Sequence, residues 1–394
     1  MDKRMGVIMV MLLTIFLGFG IIIPVLPEMI VGSGEERFHL YVMLAVYSAA
    51  SFLLSPVWGA LSDRIGRKPV LMVGVLGFSV SFLMFGLSDG QLTLMYASRV
   101  LGGVFSGATT ACAVAYVADI TPEERRTRAM GLVGMSIGLG FIFGPGIGGL
   151  LSVFGNEAPF FAAAALALLN FFFAFGTLQE SLPAERRRAA AAAPKQSRWT
   201  AFQGPIVYLF LMMFVLTFAL AGLESTLQYY QIERYAATPQ DIGILFLVSG
   251  IVGALVQGGF VRRYAKNGTE PLLIRVGLTL QALGFVLLLF SKDVWTASAF
   301  MSVFAIGNSL LRPCVTSLIT QSTRAGQGVT NGLSSSMDSL GRIAGPLIAG
   351  GLFELDMSLP FFVGAGVSLA AMLLLGKYLS LGGRSSAGPA DAAG

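Results

Sequence analysis

Twelve apolar stretches of roughly twenty residues run through this chain of 394, at 5–31, 39–61, 70–88, 92–118, 128–153, 158–178, 205–232, 241–261, 272–290, 295–319, 328–353 and 358–379. That length suits an α-helix crossing the hydrocarbon core of a bilayer, whereas barrel strands would be about 10 residues long and alternating. Twelve helices of about 22 residues use about 264 positions, so the connections are short. Charged residues make up only 12% of the chain, against about 25% in a soluble domain, and that excludes a water-soluble particle. The same composition excludes disordered, collagen-like and disulfide-scaffold classes. The expected class is an all-α membrane protein. The first stretch contains Pro24 and Pro27, is too long for a signal peptide and lacks a small-residue cleavage site, so it reads as a span.

Lys and Arg in the loops set the orientation. One set of loops holds Lys3, Arg4, Arg64, Arg67, Lys68, Arg125, Arg126, Arg128, Arg186, Arg187, Arg188, Lys195, Arg198, Arg262, Arg263, Lys266, Arg324, Lys377 and Arg384, which is 19 cations. The opposite loops hold three, Arg37, Arg234 and Lys292. Both termini are therefore expected in the cytoplasm, in a cell membrane crossed many times. The net charge of +5 is accounted for by anionic membrane lipids and calls for no nucleic acid. The expected organisation is a first six-helix bundle at 1–178, a cytoplasmic linker at 179–204 containing Arg186–Arg188 and an alanine run, a second six-helix bundle at 205–380, and a disordered Gly/Ser/Ala-rich tail at 381–394.

An internal repeat supports two pseudo-symmetric bundles. Between Gly131–Gly149 and Gly332–Gly350, at an offset of 201, nine of 19 positions are identical: Gly131/Gly332, Leu132/Leu333, Leu139/Leu340, Gly140/Gly341, Ile142/Ile343, Gly144/Gly345, Pro145/Pro346, Ile147/Ile348 and Gly149/Gly350. Glycine spacing alone also serves helix packing, but packing does not demand the same register twice. Parallel repeats with a substrate site between them occur in secondary transporters.

The turn after the second stretch reads Gly59-Ala60-Leu61-Ser62-Asp63-Arg64-Ile65-Gly66-Arg67-Lys68-Pro69. Gly59 allows close helix approach, Gly66 a sharp turn, and Asp63 a cation partner or a helix cap. As a complete G-x-L-x-D-R-x-G-R-K string it resembles the signature loop of the major facilitator superfamily. The corresponding loop of the second half keeps Gly259, Arg262, Arg263 and Gly268 and has no acid at the Asp63 position. In the fourth stretch, Arg99-Val100-Leu101-Gly102-Gly103 puts an arginine about 10 Å deep, costly unless it faces a cavity or a carboxylate or snorkels to the headgroups. The resemblance implies a part in proton transfer for Arg99. In the fifth stretch, Gly144-Pro145-Gly146-Ile147-Gly148-Gly149 resembles the signature of the drug:proton antiporter branch, where it implies sealing and reopening of the outer side. Pro145 bends the helix there and the glycines let a neighbour press against it. Phe16-Leu17-Gly18-Phe19-Gly20 with Pro24-Val25-Leu26-Pro27 resembles the twelve-helix multidrug and quinolone-type exporters, and also the tetracycline exporters.

Two of the 21 acids stand deep in apolar stretches. Glu224 lies inside the seventh, and Asp338 is about 15 Å from the inner face in the eleventh. An ionised carboxylate at that depth costs about 2.5–3.5 kcal/mol or more, which marks both as proton-coupling candidates. Arg342 at i+4 is a candidate partner for Asp338, and the repeat has Ile137 and Phe141 at those two places, an asymmetry that favours function. The structural alternative for both acids is a paired or hydrogen-bonded packing role. A glutamate in the seventh helix matches the multidrug exporters. Those also carry an acid ahead of the Arg-Pro of the tenth helix, where this chain has Gly307-Asn308-Ser309-Leu310-Leu311-Arg312-Pro313. Asp338 is the candidate replacement.

Asp119 is expected to latch onto the loop around Arg64. His39 is the single histidine, no metal spacing or triad is present, and Cys112 and Cys314 read as packing residues. Phe16, Phe141 and Tyr229 are the candidate cavity walls, with Glu224 and Arg312 as charged substrate contacts, an arrangement suited to flat lipophilic cations. The expected function is a proton-coupled exporter of lipophilic drugs such as fluoroquinolones and cationic dyes, working by alternating access as a monomer. No phosphate-binding G-x-x-x-x-G-K-S/T loop is present and no cofactor beyond the proton is expected. The alternatives are a narrower exporter of tetracycline or a sugar or metabolite, and a lipid flippase. An enzyme would need a clustered nucleophile or metal set, and none is visible.

Overall fold

The structure is a computed structural model that describes residues 3–32, 36–122, 126–182, 204–261, 263, 268–322 and 327–386. Among them stand thirteen α-helices and no strand: α1 (Lys3–Ile21), α2 (Leu26–Gly32), α3 (Phe38–Ile65), α4 (Arg67–Gly86), α5 (Leu92–Ile120), α6 (Arg126–Leu151), α7 (Ala158–Thr177), α8 (Ile206–Tyr235), α9 (Pro239–Leu255), α10 (Glu270–Leu288), α11 (Val294–Ser322), α12 (Gln327–Leu355) and α13 (Leu359–Ser386). Eleven helical segments are long and apolar enough to cross a membrane. The eleventh sequence stretch does form a helix, α12 of 29 residues, about 43 Å long. It is not among the eleven because Ser334, Ser335, Ser336, Asp338, Ser339 and Arg342 interrupt its apolar character.

The first stretch, expected as one helix over 5–31, is broken. Pro24 has no N–H to donate, and the chain turns through Ile23 N–H to Gly20 O at 3.1 Å and Val25 N–H to Ile22 O at 3.2 Å before α2 begins. The last helix runs through Ser386, past Leu381 where the sequence reading begins the tail. Residues 387–394, and 183–203 of the linker, lie outside the described residues.

The chain forms two compact units, Met1–Lys195 with Leu227–Gly250, and Gln196–Thr226 with Ile251–Gly394. In the first, α1 lies against α6 and α7, α3 and α4 against α5, and α4 against α7. Phe78, Phe82, Phe85 and Phe160 are fully buried there, with Phe85 stacked on Phe160 at 4.4 Å. In the second unit α10 packs on α11 and α13, around Ile274, Leu278, Leu311, Val315, Ile319, Ala371 and Leu375. The boundary expected at 179–204 would leave all of α8 and α9 with the second half, whereas 227–235 and 239–250 pack into the first unit. On α7, Leu169, Phe172, Phe173 and Phe175 each leave more than half their surface uncovered. Large apolar side chains in such number on one helix face are at home in lipid.

Glycine crossings bring the helices together. A Cβ on Gly140 would stand 2.7 Å from Leu17 N and 2.9 Å from Leu13 O, and one on Gly144 2.7 Å from Gly20 Cα, so α6 touches the backbone of α1. In the second unit a Cβ on Gly341 would stand 2.8 Å from Phe214 O, and one on Gly345 2.7 Å from Phe218 O, so α12 touches the backbone of α8. The repeat at offset 201 is therefore a repeat of contacts: Leu13 corresponds to Phe214 and Leu17 to Phe218. Close approach of this kind replaces the hydrophobic effect as the force between helices in lipid.

Gly144→Ala and Gly345→Ala are each expected to lower stability by about 1–3 kcal/mol, because a methyl is driven into backbone. Gly134→Ala, with nothing within 4 Å of the new carbon, is the control. Melting of the purified protein in detergent checks this, and equal melting of all three would refute the crossings.

Candidate functional site

The signature turn is a single residue. Gly66 alone separates α3 from α4, at φ 113°, a conformation that favours glycine. A Cβ there would also run into the Glu180 carboxylate. Arg67 opens α4 and gathers three helices: Nη2 reaches Asp63 Oδ1 at 2.6 Å and Nε reaches Asp119 Oδ2 at 3.1 Å. Its Nη1 donates to Ser62 Oγ, and only 10% of its side chain is exposed. The two charge pairs and the hydroxyl compensate its burial. Arg64 is exposed, so the cation that Asp119 meets is Arg67. Gly59, expected at a close helix approach, has nothing among the described residues within 4 Å of where a Cβ would stand.

Sequence reasoning missed Glu180. Its Oε1 accepts the Arg67 backbone N–H at 2.8 Å and its Oε2 that of Lys68 at 3.1 Å. These are unsatisfied donors at a helix start, where the macrodipole also favours an anion. Neighbours of Glu180 join the cluster: Ser181 Oγ donates to Asp119 Oδ2 at 3.2 Å and the Tyr116 hydroxyl donates to Gln179 O at 2.6 Å. The available signal is an acid in Gln179-Glu180-Ser181, directly after an apolar stretch.

Arg99 does not snorkel, and it meets no carboxylate among the described residues. It is 1% exposed, with its guanidinium carbon 4.5 Å from the Phe85 ring centre, 5.4 Å from Phe82 and 5.8 Å from Tyr47. Its Nε lacks a hydrogen-bond partner. Cation–π attraction, strongest where water is excluded, holds the charge. Aromatic contacts continue from Tyr47 to Phe19 at 5.3 Å, from Phe19 to Phe141 at 5.6 Å and from Phe141 to Phe16 at 5.3 Å. Phe16 and Phe141 thus sit together on a path leading to Arg99. Tyr229 is elsewhere, against Tyr41 at 6.0 Å and under Arg37 at 5.8 Å. Arg37 in turn pairs with Glu233 at 2.6 Å.

The Gly144-to-Gly149 segment has two packed faces. Gly140, Gly144 and Gly148 face α1, where a Cβ on Gly148 would overlap Ile21 O. Gly149 faces α9, where a Cβ would stand 2.7 Å from Pro239 O and 3.1 Å from Gly243 Cα. From the other side, one on Gly243 would stand 2.8 Å from Pro145 O.

In the second unit Asp338 is not paired as its spacing suggests. Asp338 does not meet Arg342 at i+4. Its Oδ2 accepts from Arg312 Nη2 of α11, and its Oδ1 accepts from Thr217 Oγ1 of α8 at 2.6 Å. An i+4 neighbour was the only partner sequence could offer, and the helix crossing supplies two others. Arg342 is instead near enough to Glu224 of α8 for the two charges to interact. A second buried carboxylate that spacing did not reveal is Glu270, 2% exposed at the start of α10. It accepts from Gly268 N–H at 2.7 Å, Gln321 Nε2 at 2.9 Å and Ser317 Oγ at 3.2 Å.

The Major Facilitator Superfamily profile matches residues 8–327 and 268–394, and the chain belongs to that family. It is a multi-pass membrane transporter, not an enzyme. It is 31% identical to the Quinolone resistance protein NorA of Staphylococcus aureus over 378 residues, 95% of this chain and 96% of that one. It is 32% identical to Multidrug resistance protein 2 of Bacillus subtilis over 363 residues, 91% of this chain and 90% of that one. Among solved structures it resembles the human organic anion transporter MFSD10, with a TM-score of 0.72, 25% identity, and 95% and 99% of the two chains covered.

Glu180→Ala is expected to destabilise the protein by about 1 kcal/mol, the usual loss for a helix cap, and to speed hydrogen exchange at the Arg67 and Lys68 amides. Unchanged exchange at those two amides would remove Glu180 from the cluster.

Proposed function

We propose that the protein is a proton-coupled exporter of lipophilic drugs, fluoroquinolones and cationic dyes among them, working by alternating access. The observation that carries this reading is its end-to-end relation to a quinolone and a multidrug resistance protein. The second unit supports it with two acids and two arginines on the membrane helices α8, α11 and α12. Charges at that depth are expensive and are kept for transport or coupling.

In this reading Glu224 and Asp338 take turns with the proton, their partners Arg342 and Arg312 stabilising each when ionised. Arg99, always charged, contributes a fixed field. The Phe16–Phe141 pair offers flat apolar surface to a drug ring. The protein acts as a monomer in the cell membrane with both termini cytoplasmic, surrounded by lipid, and uses no cofactor beyond the proton. On that orientation the α6–α9 glycine seam lies toward the outer side and parts during release. One proton crossing about 150 mV supplies about 3.5 kcal/mol, enough for a gradient of about 300-fold of a neutral substrate.

The test is dissipation of a preset pH gradient in inside-out vesicles on adding ethidium or ciprofloxacin. The wild type is expected to dissipate it, and Glu224→Gln and Asp338→Asn to lose most of that flux. A wild type silent to both compounds sinks the exporter; full flux in Asp338→Asn removes Asp338 from coupling.

A further inference from the structure

Arg312 and Asp338 are unequal partners. The carboxylate has both oxygens occupied, one by Thr217 and one by Arg312, and its side chain is 16% exposed. Arg312 has five N–H donors. Among the described residues its one polar partner is Asp338, through Nη2, and 51% of its side chain is exposed. The acid is satisfied and the base is not.

The depth of Arg312 makes this informative. It lies ten residues before Ser322, the end of α11, so about 15 Å in from that end. A guanidinium with open donors at that depth does not face hydrocarbon. Its open donors are satisfied there only by water or by a ligand, and the ligand they fit is an acceptor. The planar fork of donors matches a carboxylate in particular, and the chain already holds one against it.

Resting on the exporter reading above, we propose that Arg312 is the carboxylate-recognising residue of the transport site. The substrates it selects are lipophilic compounds bearing a carboxylate, zwitterions included, and Asp338 is the resident anion with which they compete. A dye without an anionic group uses the aromatic surface and gains nothing from Arg312. MFSD10, which this chain resembles in fold, is a human organic anion transporter, in keeping with this chemistry.

The test compares ciprofloxacin with its methyl ester, which differ at the carboxylate alone, by fluorescence polarisation on the purified full chain in nanodiscs at fixed pH. The wild type is expected to bind the acid about tenfold more tightly than the ester, the discrimination of a charge-assisted hydrogen bond. Arg312→Gln is expected to abolish the preference while still binding the ester. Asp338→Asn is expected to enlarge it severalfold, because the competing anion is gone; general damage to the site has no reason to do that. Equal binding of acid and ester by the wild type, an unchanged preference in Arg312→Gln, or a preference in Asp338→Asn no larger than in the wild type overturns the proposal. If Arg312→Gln binds neither compound, the Asp338→Asn comparison decides. If the wild type binds neither, it is the exporter reading that fails.

Discussion

The contact on which the rest depends is the crossing of α6 over α1, with its copy of α12 over α8. Gly140 and Gly144 let α6 rest on α1 backbone, and Gly341 and Gly345 do the same for α12 on α8. That distance brings the Phe16 ring within 5.3 Å of Phe141. It also stands Thr217 beside α12, where a Cβ on Gly341 would be 3.0 Å from Thr217 Cβ. From there the threonine hydroxyl reaches Asp338, one turn earlier on α12, at 2.6 Å. An alanine at the crossing would move both sites together with the helices.

The two crossings share a backbone arrangement and differ in chemistry. At the offset of 201, Phe16 corresponds to Thr217, Phe141 to Arg342 and Ile137 to Asp338. The first unit fills the crossing with rings and keeps its buried cation in an aromatic box. The second fills it with a hydroxyl, an acid and a base. A charge on a membrane helix needs a partner within the protein. The crossing can afford several only because close backbone contact puts side chains of α8 and α12 within hydrogen-bonding reach. The scaffold is duplicated; the side chains that each copy places on it are not.

Much of this was readable from residues. The apolar lengths identify the helices, the nine shared positions locate the crossing, and Glu224 and Asp338 stand out as acids where none belong. What local spacing could not show was partnership. Asp338 sees Arg342 at i+4 along its own helix, yet its partners come from α8 and α11, because tertiary packing turns its side chain toward them. Arg99 is conspicuous in the sequence, but a ring over a guanidinium has no spacing signature, since Tyr47, Phe82 and Phe85 arrive from two other helices. Gly59 shows the opposite case: it sits in a recognisable string, yet among the described residues nothing stands within 4 Å of where its Cβ would be. The break at Pro24 has its signal in the proline itself, against which the length of the apolar run argues for one helix.

The weakness of the signature loop in the second half also acquires a cause. Gly66 and Gly268 occupy matching turns, both at positive φ, 113° and 95°, and each precedes the third long helix of its half. Each helix start is met by a buried or partly buried carboxylate, but from different places in the chain. Glu180 comes from beyond α7 to accept the N–H groups of Arg67 and Lys68. Glu270 lies within α10 itself and accepts from Gly268. Glu270 further holds Gln321 and Ser317 of α11, as Arg67 holds Asp119 of α5 in the first half. What the fold requires at this turn is an anion on a helix N-terminus and a tie to the following long helix. An acid at the Asp63 position is one way to contribute to that tie, and the second half, with Glu270 in place, does without it.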